Sequence, residues 1–418
     1  MKRKLHLFEG YGVELEYMIV DRDTLNVRPI CDLLFTKIAG EITSDIERKP
    51  ISWSNELVNH VVEIKCHEPV DTLVGLSDHF HTQVLDINEA LRSENACLMP
   101  TAIHPWMNPL TDTHLWPHEY HEIYELYNRI FDCRGHGWSN LQSTHINLPF
   151  QGDDEFGRLH AAIRLLLPLI PAISAASPYY ESKHHGYKDS RLEAYRHNQE
   201  AIPSIAGSII PEDVYTKADY HTRIFDPIIR DIRPYDTDGI LDKHFLNSRG
   251  AIARFDRGAI EIRIIDIQES PVMDIVILKI IVEVLKQLVN ENLSLFDQQA
   301  SINTEYLANL WLRVIKEGGD VLISDQDYLR ELGVIEPKTV IQLWSEWLQK
   351  FGENLNTETV SYFELILKRG SLSERMLNEA GRSPNRGNII KLYHKLCSCL
   401  SENRPFVDAD SKKTFTSY

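Results

Sequence analysis

The sequence predicts an α+β fold: a largely antiparallel sheet with helices packed on one face, followed by a C-terminal helical region. Three observations predict it. Several segments alternate apolar and polar residues with period two, as a strand with one buried face must. Between them run stretches whose apolar positions recur every three or four residues, the spacing of amphipathic helices. From about residue 290 onward no alternation of comparable strength returns. The chain therefore divides into a first unit over 1–290, which carries the alternating segments, and a helical region over 291–418 packed on it.

The elements follow in order. In "GVELEYMIV" Val13, Leu15, Tyr17 and Ile19 fall on one face, and Glu14, Glu16 and Met18 on the other. "ELVNHVVEIKC" is a second strand-like run rich in β-branched residues. The stretch from Glu68 to Pro100 has Leu73, Leu76, Phe80, Val84, Ile87 and Leu91 at helical spacing and reads as one long amphipathic helix. "TAIHPW" reads as a short strand entering a Pro-rich loop, "PHEYHEIYELYNRIF" as a helix, and "QSTHINLPF" as a strand. "FGRLHAAIRLLLPLIPAISAAS" is an apolar helix that Pro168 and Pro171 must kink or break. Residues 178–214 form a long irregular stretch, rich in aromatic residues and Arg, of the kind that usually carries function. "AIARFDRGAIEIRIIDIQESP" reads as a hairpin around Asp256, Arg257 and Gly258, and "VMDIVILKIIVEVLKQLVNENL" as a buried helix.

A formal net charge of −17 argues against a nucleic-acid or anionic-membrane binder, which needs a basic surface. Small anions remain possible ligands if metal ions mediate. The six cysteines form no C-x-x-C pair, so neither a zinc knuckle nor a redox motif is present, and reduced thiols in the cytoplasm are expected. "MKRKLHLFEG" has no apolar core behind its basic start, so no secretory signal is read there. No apolar run approaches the ~20 residues of a membrane helix.

Four strands repeat one design. Glu14 and Glu16 lie opposite Val13 and Leu15, Glu63 and Lys65 opposite Val62 and Ile64, His145 and Asn147 opposite Ile146 and Leu148, and Glu261 and Arg263 opposite Ile260, Ile262 and Ile264. A solvated outer face would alternate equally. Against that reading, the polar positions are mostly metal-ligand types, and several carboxylates on one face repel unless cations sit between them. Oxygen ligands with one imidazole suit Mg²⁺ or Mn²⁺. Arg263, with Arg254 brought near by the hairpin, either pairs with these carboxylates or meets a phosphate arriving with the metal. Metals and Arg on one cavity are the kit for stabilising charge in phosphoryl transfer. There is no P-loop, no G-x-G-x-x-G and no G-x-S-x-G elbow. The other histidine groups, His79 with His81, His114 with His118 and His121, and His184 with His185, lack companion carboxylates at metal spacing and read as surface or capping residues. Trp53, Trp106 and Trp138 read as packing residues.

These motifs, in order over roughly the first 290 residues, resemble glutamate–cysteine ligase family 2, the carboxylate–amine ligases. "GVELEYMIVD" is similar to that family's opening strand and "NELVNHVVEIKC" to its second acidic segment. "AIHP" with "PHEYHEIYE" is similar to its His-Pro loop and Tyr-containing helix, and "STHINL" to its His-x-Asn or His-Val-His strand. "SPYYESKHHGYKDSRLEAYR" is similar to its Ser-Pro-aromatic loop ending in Arg, and "RFDRGAIEIRIID" to its late Glu-Ile-Arg strand. The resemblance implies a curved, largely antiparallel sheet related to glutamine synthetase and the guanidino kinases, whose concave face holds ATP and Mg²⁺. It implies ATP-dependent amide formation through an acyl phosphate, with 1–290 as the catalytic domain and glutamate and cysteine as default substrates. By position, Glu14, Glu16, Glu56, Glu63, His145 and Glu261 would be metal ligands, with a bend or loop absorbing the seven-residue offset between Glu56 and Glu63. Arg263, with Glu261 beside it, would act on the transferred phosphoryl group. Arg254 would meet the nucleotide phosphates and Arg191 a substrate carboxylate. Two departures stand out: the family's Asp-Thr-Gly is here Gly186–Arg191, and the His-Val-His place holds only His145, with Asn147 after it. A phosphotransferase of the guanidino kinase type, or a non-catalytic binder on the same scaffold, are the competing expectations.

Overall fold

The computed structural model describes residues 4–408. Its centre is a sheet built from β1 (Gly12–Asp21), β2 (Asp45–Ile46), β3 (Ile51–Asn55), β4 (Val61–Cys66), β5 (Ala96–Met99), β6 (Ser143–Pro149), β7 (Ala251–Arg254) and β8 (Ala259–Asp266). The spatial order is β2-β3-β4-β1-β6-β8-β7, with β5 paired to the C-terminal half of β1. Every pairing in this sheet is antiparallel. The central strand β1 meets β4 over Glu14–Met18 and β6 over Gly12–Leu15.

The period-two pattern decides the layering. Val13, Leu15, Tyr17 and Ile19 of β1 share a fully buried face with Trp53, Val62, Ile64, Ile146, Leu148, Ile260 and Ile262. Against it lie three helices, Leu76–Ala90, Gly152–Leu166 and Pro271–Val289, in one continuous core. Each buried aliphatic side chain contributes roughly 1.5–3 kcal/mol, so this face fixes which residues point the other way. Thr144, on the helix side of β6, donates to Asp274 of the Pro271–Val289 helix at 2.6 Å, tying sheet to helix through a buried carboxyl whose pKa burial pushes well up.

The opposite face changes character along β1. Glu14 and Glu16 give way to Met18 and Val20, which pack with Met99, Leu392, Leu396 and Phe406 in a second core. The helix Arg386–Glu402 thus covers the apolar end of the face that is polar at its other end. Other segments beyond residue 290 join the main core through Leu307, Trp311, Trp344 and Trp347. None of the helices among the described residues is long and apolar enough to cross a membrane.

The helices expected over residues 117–131 and 272–293 are present as His121–Phe131 and Pro271–Val289, the one expected over 156–177 runs from Gly152 and breaks after Leu166, and the hairpin around Asp256, Arg257 and Gly258 is present. Five local features differ from the sequence reading or were not in it. The run from Glu68 to Pro100 is helical only over Leu76–Ala90; it ends in β5. "TAIHPW" is not a strand, because the His104 backbone bonds the Asn140 side chain in both directions, at 2.7 and 3.0 Å, in place of a neighbouring strand. "ISWSN" is a strand whose outward positions are Ser52 and Ser54, too mild a polarity to stand out. Within the helical region, Leu322–Ile323 and Lys338–Thr339 form a two-stranded sheet, and the irregular 178–214 stretch contains the short helix Ser190–Tyr195.

His104 organises its loop. Its Nε2–H donates to Leu25 O at 2.8 Å, while Nδ1 accepts from the amides of Met107 at 2.9 Å and Trp106 at 3.2 Å. A proton on Nδ1 would break both accepting bonds, and burial lowers the imidazole pKa to about 4. The folded state therefore binds fewer protons than the unfolded one between pH ~6.5 and ~4, and the stability His104 contributes is complete above ~6.5 and lost below it. Replacing His104 by Gln is expected to destabilise the protein at pH 7.5, and the gap to wild type should shrink by about 1–2 kcal/mol at pH 5.0. Urea unfolding of both proteins at the two pH values measures this, since the other titrating groups cancel between them. A gap that does not change with pH would contradict the role given to Nδ1.

Candidate functional site

Antiparallel register brings the polar positions of five strands into rows. Glu16 lies opposite Glu63, and Glu63 opposite Ser54; Glu14 lies opposite Lys65 on one side and His145 on the other; Asn147 lies opposite Glu261. His145 Nδ1 is 3.1 Å from Glu14 and 3.8 Å from Glu261, and its Nε2 is 3.7 Å from Glu16. Ser143 donates its amide to Glu16 at 2.7 Å and its hydroxyl to the same oxygen at 2.9 Å, with the His145 Nε2 also 2.9 Å from that hydroxyl. Asn147 donates to Glu14 at 3.1 Å, and Ser54 to Glu63 at 2.7 Å. Lys65 pairs with Glu63 at 2.9 Å.

Glu56 joins this group from just beyond the end of β3, where the chain leaves the sheet and the parity offset from Glu63 is absorbed. Ligand atoms of Glu14, Glu63 and His145 lie within 4.8 Å of one another, as do those of Glu16, Glu56 and Glu63. Glu63 is common to both groups. The ring of carboxylates is uncomfortable without a cation. Burial first, then the Glu63 charge, pushes Glu56 well above the usual carboxylate range. Glu16 is raised by burial and by Glu63, against the pull of His145 and Ser143. Burial also opposes ionisation of Glu14, but the hydrogen bond and charge of His145 win and hold it low. For His145, burial disfavours the charged ring, but Glu14, Glu16 and Glu261 outweigh it and raise its pKa. Oxygen-rich donors, one imidazole and an excess of carboxylates over nearby cations are a donor set that suits Mg²⁺ or Mn²⁺.

A β-bulge shapes the far side. Ile146 pairs with Ile262, but Thr144 pairs with Ile265, so β8 carries one residue more than β6 across this interval. The extra residue reverses parity, and Asp266 comes opposite Ser143, on the same face as Glu261 and Arg263. Asp266 accepts from Arg191 Nε at 2.5 Å, the Ser177 hydroxyl at 2.7 Å and the Ala176 amide at 2.8 Å. Asp189 caps the Ser190–Tyr195 helix: its side chain accepts the Leu192 amide at 2.8 Å, while its own amide donates to Ile315 O at 2.9 Å. Arg191 is thereby fixed, with its Nη2 left without a partner. Arg263 Nε lies 3.6 Å from Glu261, and Arg254 is 3.8 Å from Glu261 while bonding Asp256 at 3.0 Å. A cavity of about 250 Å³ opens here, lined by Glu16, His145 and Arg263 of the sheet, by Glu56 just past β3, by Arg191 of the Ser190–Tyr195 helix, and by the rings of Tyr124, Tyr127, Trp138, Tyr195 and Phe245.

Thus Glu14, Glu16, Glu56, Glu63, His145 and Glu261 converge, Arg191 and Arg263 line the cavity beside them, and Arg254 stands behind Glu261. Asp266, Ser143 and Ser54 were not anticipated. Ser143 shares the two-residue parity of His145 and was legible on that ground; Ser54 reaches Glu63 only through the β3–β4 register, and Asp266 was hidden by the bulge, since strict alternation puts it on the wrong face. The histidines read as peripheral are so: His184 bonds Pro178 O, His185 stacks on Tyr180, and His118 faces Asp32.

The model of glutamate–cysteine ligase family 2 matches residues 11–395. An uncharacterized protein of Archaeoglobus fulgidus is 30% identical over 399 residues, 95% of this chain and 100% of that one. A putative glutamate–cysteine ligase 2-1 of Rubrobacter xylanophilus is 24% identical over 190 residues, 44% of this chain and 46% of its own. Among solved structures, the fold is similar to glutamate–cysteine ligase of Francisella tularensis in complex with AMP, at TM-score 0.62 and 11% identity, covering 95% of this chain and 90% of that one. It is also similar to a bifunctional glutathione synthetase of Pasteurella multocida, at TM-score 0.56 and 11% identity, covering 95% of this chain and 53% of that one.

Because Glu56 suffers from the charges around it, Glu56→Gln is expected to change two quantities in opposite directions. Metal-free stability should rise, by on the order of 1 kcal/mol, and Mn²⁺ affinity should fall by about tenfold or more. Calorimetric titration with Mn²⁺ and thermal unfolding in chelator measure the two. Loss of both stability and affinity would mean that Glu56 is held by something other than its place in the acidic cluster.

Proposed function

The chain belongs to glutamate–cysteine ligase family 2, a family of carboxylate–amine ligases, and from that premise we propose that it forms an amide from a carboxylate and an amine through an acyl phosphate, with ATP as the phosphoryl donor. The observation that carries this reading is the acidic face itself: two clusters that share Glu63, one with Glu14 and His145 and one with Glu16 and Glu56, of which Glu16, Glu56 and His145 line one cavity with Arg191 and Arg263. Divalent cations bound there, Mg²⁺ or Mn²⁺, supply the positive charge that lets a triphosphate approach so many carboxylates.

The chain's own residues take the remaining roles. A carboxylate is a poor electrophile until one oxygen is phosphorylated, and the transferred group carries charge that must be met as it moves. Arg263 meets it. Burial opposes the Arg263 charge, but Tyr195, Glu261, Glu16 and Glu14 hold the guanidinium firmly protonated. Glu261 has two tasks: it completes the metal-facing row, and it orients Arg263 and Arg254 from its two oxygens. Arg254 meets nucleotide phosphates. Arg191, clamped by Asp266, receives the substrate carboxylate with its free Nη2. The default substrates are glutamate and cysteine, giving γ-glutamylcysteine, and the substrates are small molecules rather than nucleic acid. Six free cysteines among the described residues accord with a reducing, cytoplasmic setting. The residues over 4–290 carry every group named here, so this segment is the catalytic unit and the helices beyond it are its support.

The reading is tested with ATP, Mg²⁺ and a panel of amino acids, measuring ADP, with hydroxylamine added as a universal amine. A competent carboxylate should give ADP and a hydroxamate, since hydroxylamine captures an acyl phosphate. ADP with a stable phosphorylated guanidine and no hydroxamate would indicate a phosphotransferase instead, and no ADP with any pair would leave a binder. Arg263→Ala is expected to lower kcat by about 10²–10³-fold with little change in Mn²⁺ binding. Arg191→Lys is expected to act mainly on KM for the carboxylate, because a point charge cannot keep the Asp266 contact and offer a second, unpartnered nitrogen as well. An Arg191→Lys enzyme altered in kcat alone would remove Arg191 from substrate binding.

A further inference from the structure

A second cavity, of about 610 Å³, lies between the Leu76–Ala90 helix, β5 and the Arg386–Glu402 helix. It shares no lining residue with the metal-facing one. Two cysteines from distant parts of the chain line it: Cys97 on β5 and Cys397 on the C-terminal helix. Cys97 is buried in the second core and Cys397 packs against that core from its edge, so the two thiols line one cavity from the strand and the helix that meet there. Both are free thiols. Cys399, two residues further along the same helix, points elsewhere: its sulfur accepts from Arg404 Nη1 at 3.3 Å and lies 3.9 Å from Pro405 O. The two thiols are not equivalent. The neighbouring Cys397 thiol, helped by the charge of Arg22, lowers the Cys97 pKa, while Cys97 and burial push Cys397 up. Two free thiols of unequal acidity on the wall of one open cavity are the parts of an exchange site rather than of inert core packing.

We propose that Cys97 and Cys397 form a thiol–disulfide exchange site, which a low-molecular-weight disulfide entering this cavity converts to an internal disulfide. The Cys97 thiolate attacks one sulfur of the small disulfide. That S–S bond breaks, one thiolate leaves, and Cys97 carries a mixed disulfide. Cys397 then gives its proton to the departing thiolate and attacks the Cys97 sulfur, expelling the second small thiolate. Two protein thiols are oxidised and one disulfide is reduced to two thiols. The new bond joins the strand paired with the C-terminal half of β1 to the helix that covers it.

The full-length protein is incubated with 2-hydroxyethyl disulfide, and its thiols are counted after denaturation. The count is expected to fall from the six of the sequence to four, with one cross-linked pair of peptides carrying Cys97 and Cys397, and to return with dithiothreitol. Cys397→Ser is expected to stop at the first step, retaining one mercaptoethanol on Cys97. Cys97→Ser is expected to keep all its remaining thiols. Six thiols surviving the treatment, a cross-link involving any other cysteine, or a Cys397→Ser protein without an adduct would overturn the proposal. These readouts are covalent, so they stand or fall independently of the ligase reading.

Discussion

The organising constraint is the confinement of like charges on one face of an antiparallel sheet whose other face is committed to the core. Val13, Leu15, Tyr17 and Ile19 cannot leave the helices beneath them, so Glu14 and Glu16 have no choice of side. Pairing then sets their neighbours: Glu63, Lys65 and His145 arrive by register. The charges are held together not because they attract but because apolar burial on the far side outweighs their repulsion. A site of this kind is preorganised for a cation, since the cost of assembling the ligands is met during folding.

The surrounding structure follows from completing that face. Where β1 turns apolar, at Met18 and Val20, the Arg386–Glu402 helix packs on it, and β5 extends the sheet beneath that helix. Where it is polar, the loops and short helices between residues 120 and 250 wall off a cavity with aromatic rings. The irregular stretch after residue 177 is held by bonds to a single strand end, with Asp266 accepting from Ala176, Ser177 and Arg191. Lys188 is drawn the other way, to Glu374 and Asp320 of the C-terminal region, at 2.5 and 3.3 Å. The loop that carries Arg191 is thus stretched between the sheet and the helices, which is how an irregular segment can present a side chain with definite geometry.

Much of this was legible in the order of residues. Period two exposes its own face assignments, so Glu14, Glu16, Glu63, His145 and Glu261 could be grouped before any coordinates. Long helices announce themselves by spacing, and Pro168 marked the break after Leu166. What escaped had no local signature. β3 presents Ser and Trp rather than charge and apolar residues, and "ACLM" is apolar throughout, so it merged with the helix before it. "TAIHPW" has strand composition, but the Asn140 side chain takes the bonds a strand would need.

By itself, the sequence determined which face each strand residue occupies, which side chains are metal-ligand types, and the family to which the chain belongs, because these depend on periodicity and on motif order along one chain. The tertiary structure alone decided which faces meet. The register that sets Glu14 against His145, the bulge that turns Asp266 toward Arg191, and the cavity that Cys97 and Cys397 both line all join segments far apart in the chain. Nothing in the local pattern encodes them, since a one-residue slip or insertion leaves every strand's own alternation intact while changing what lies across from it.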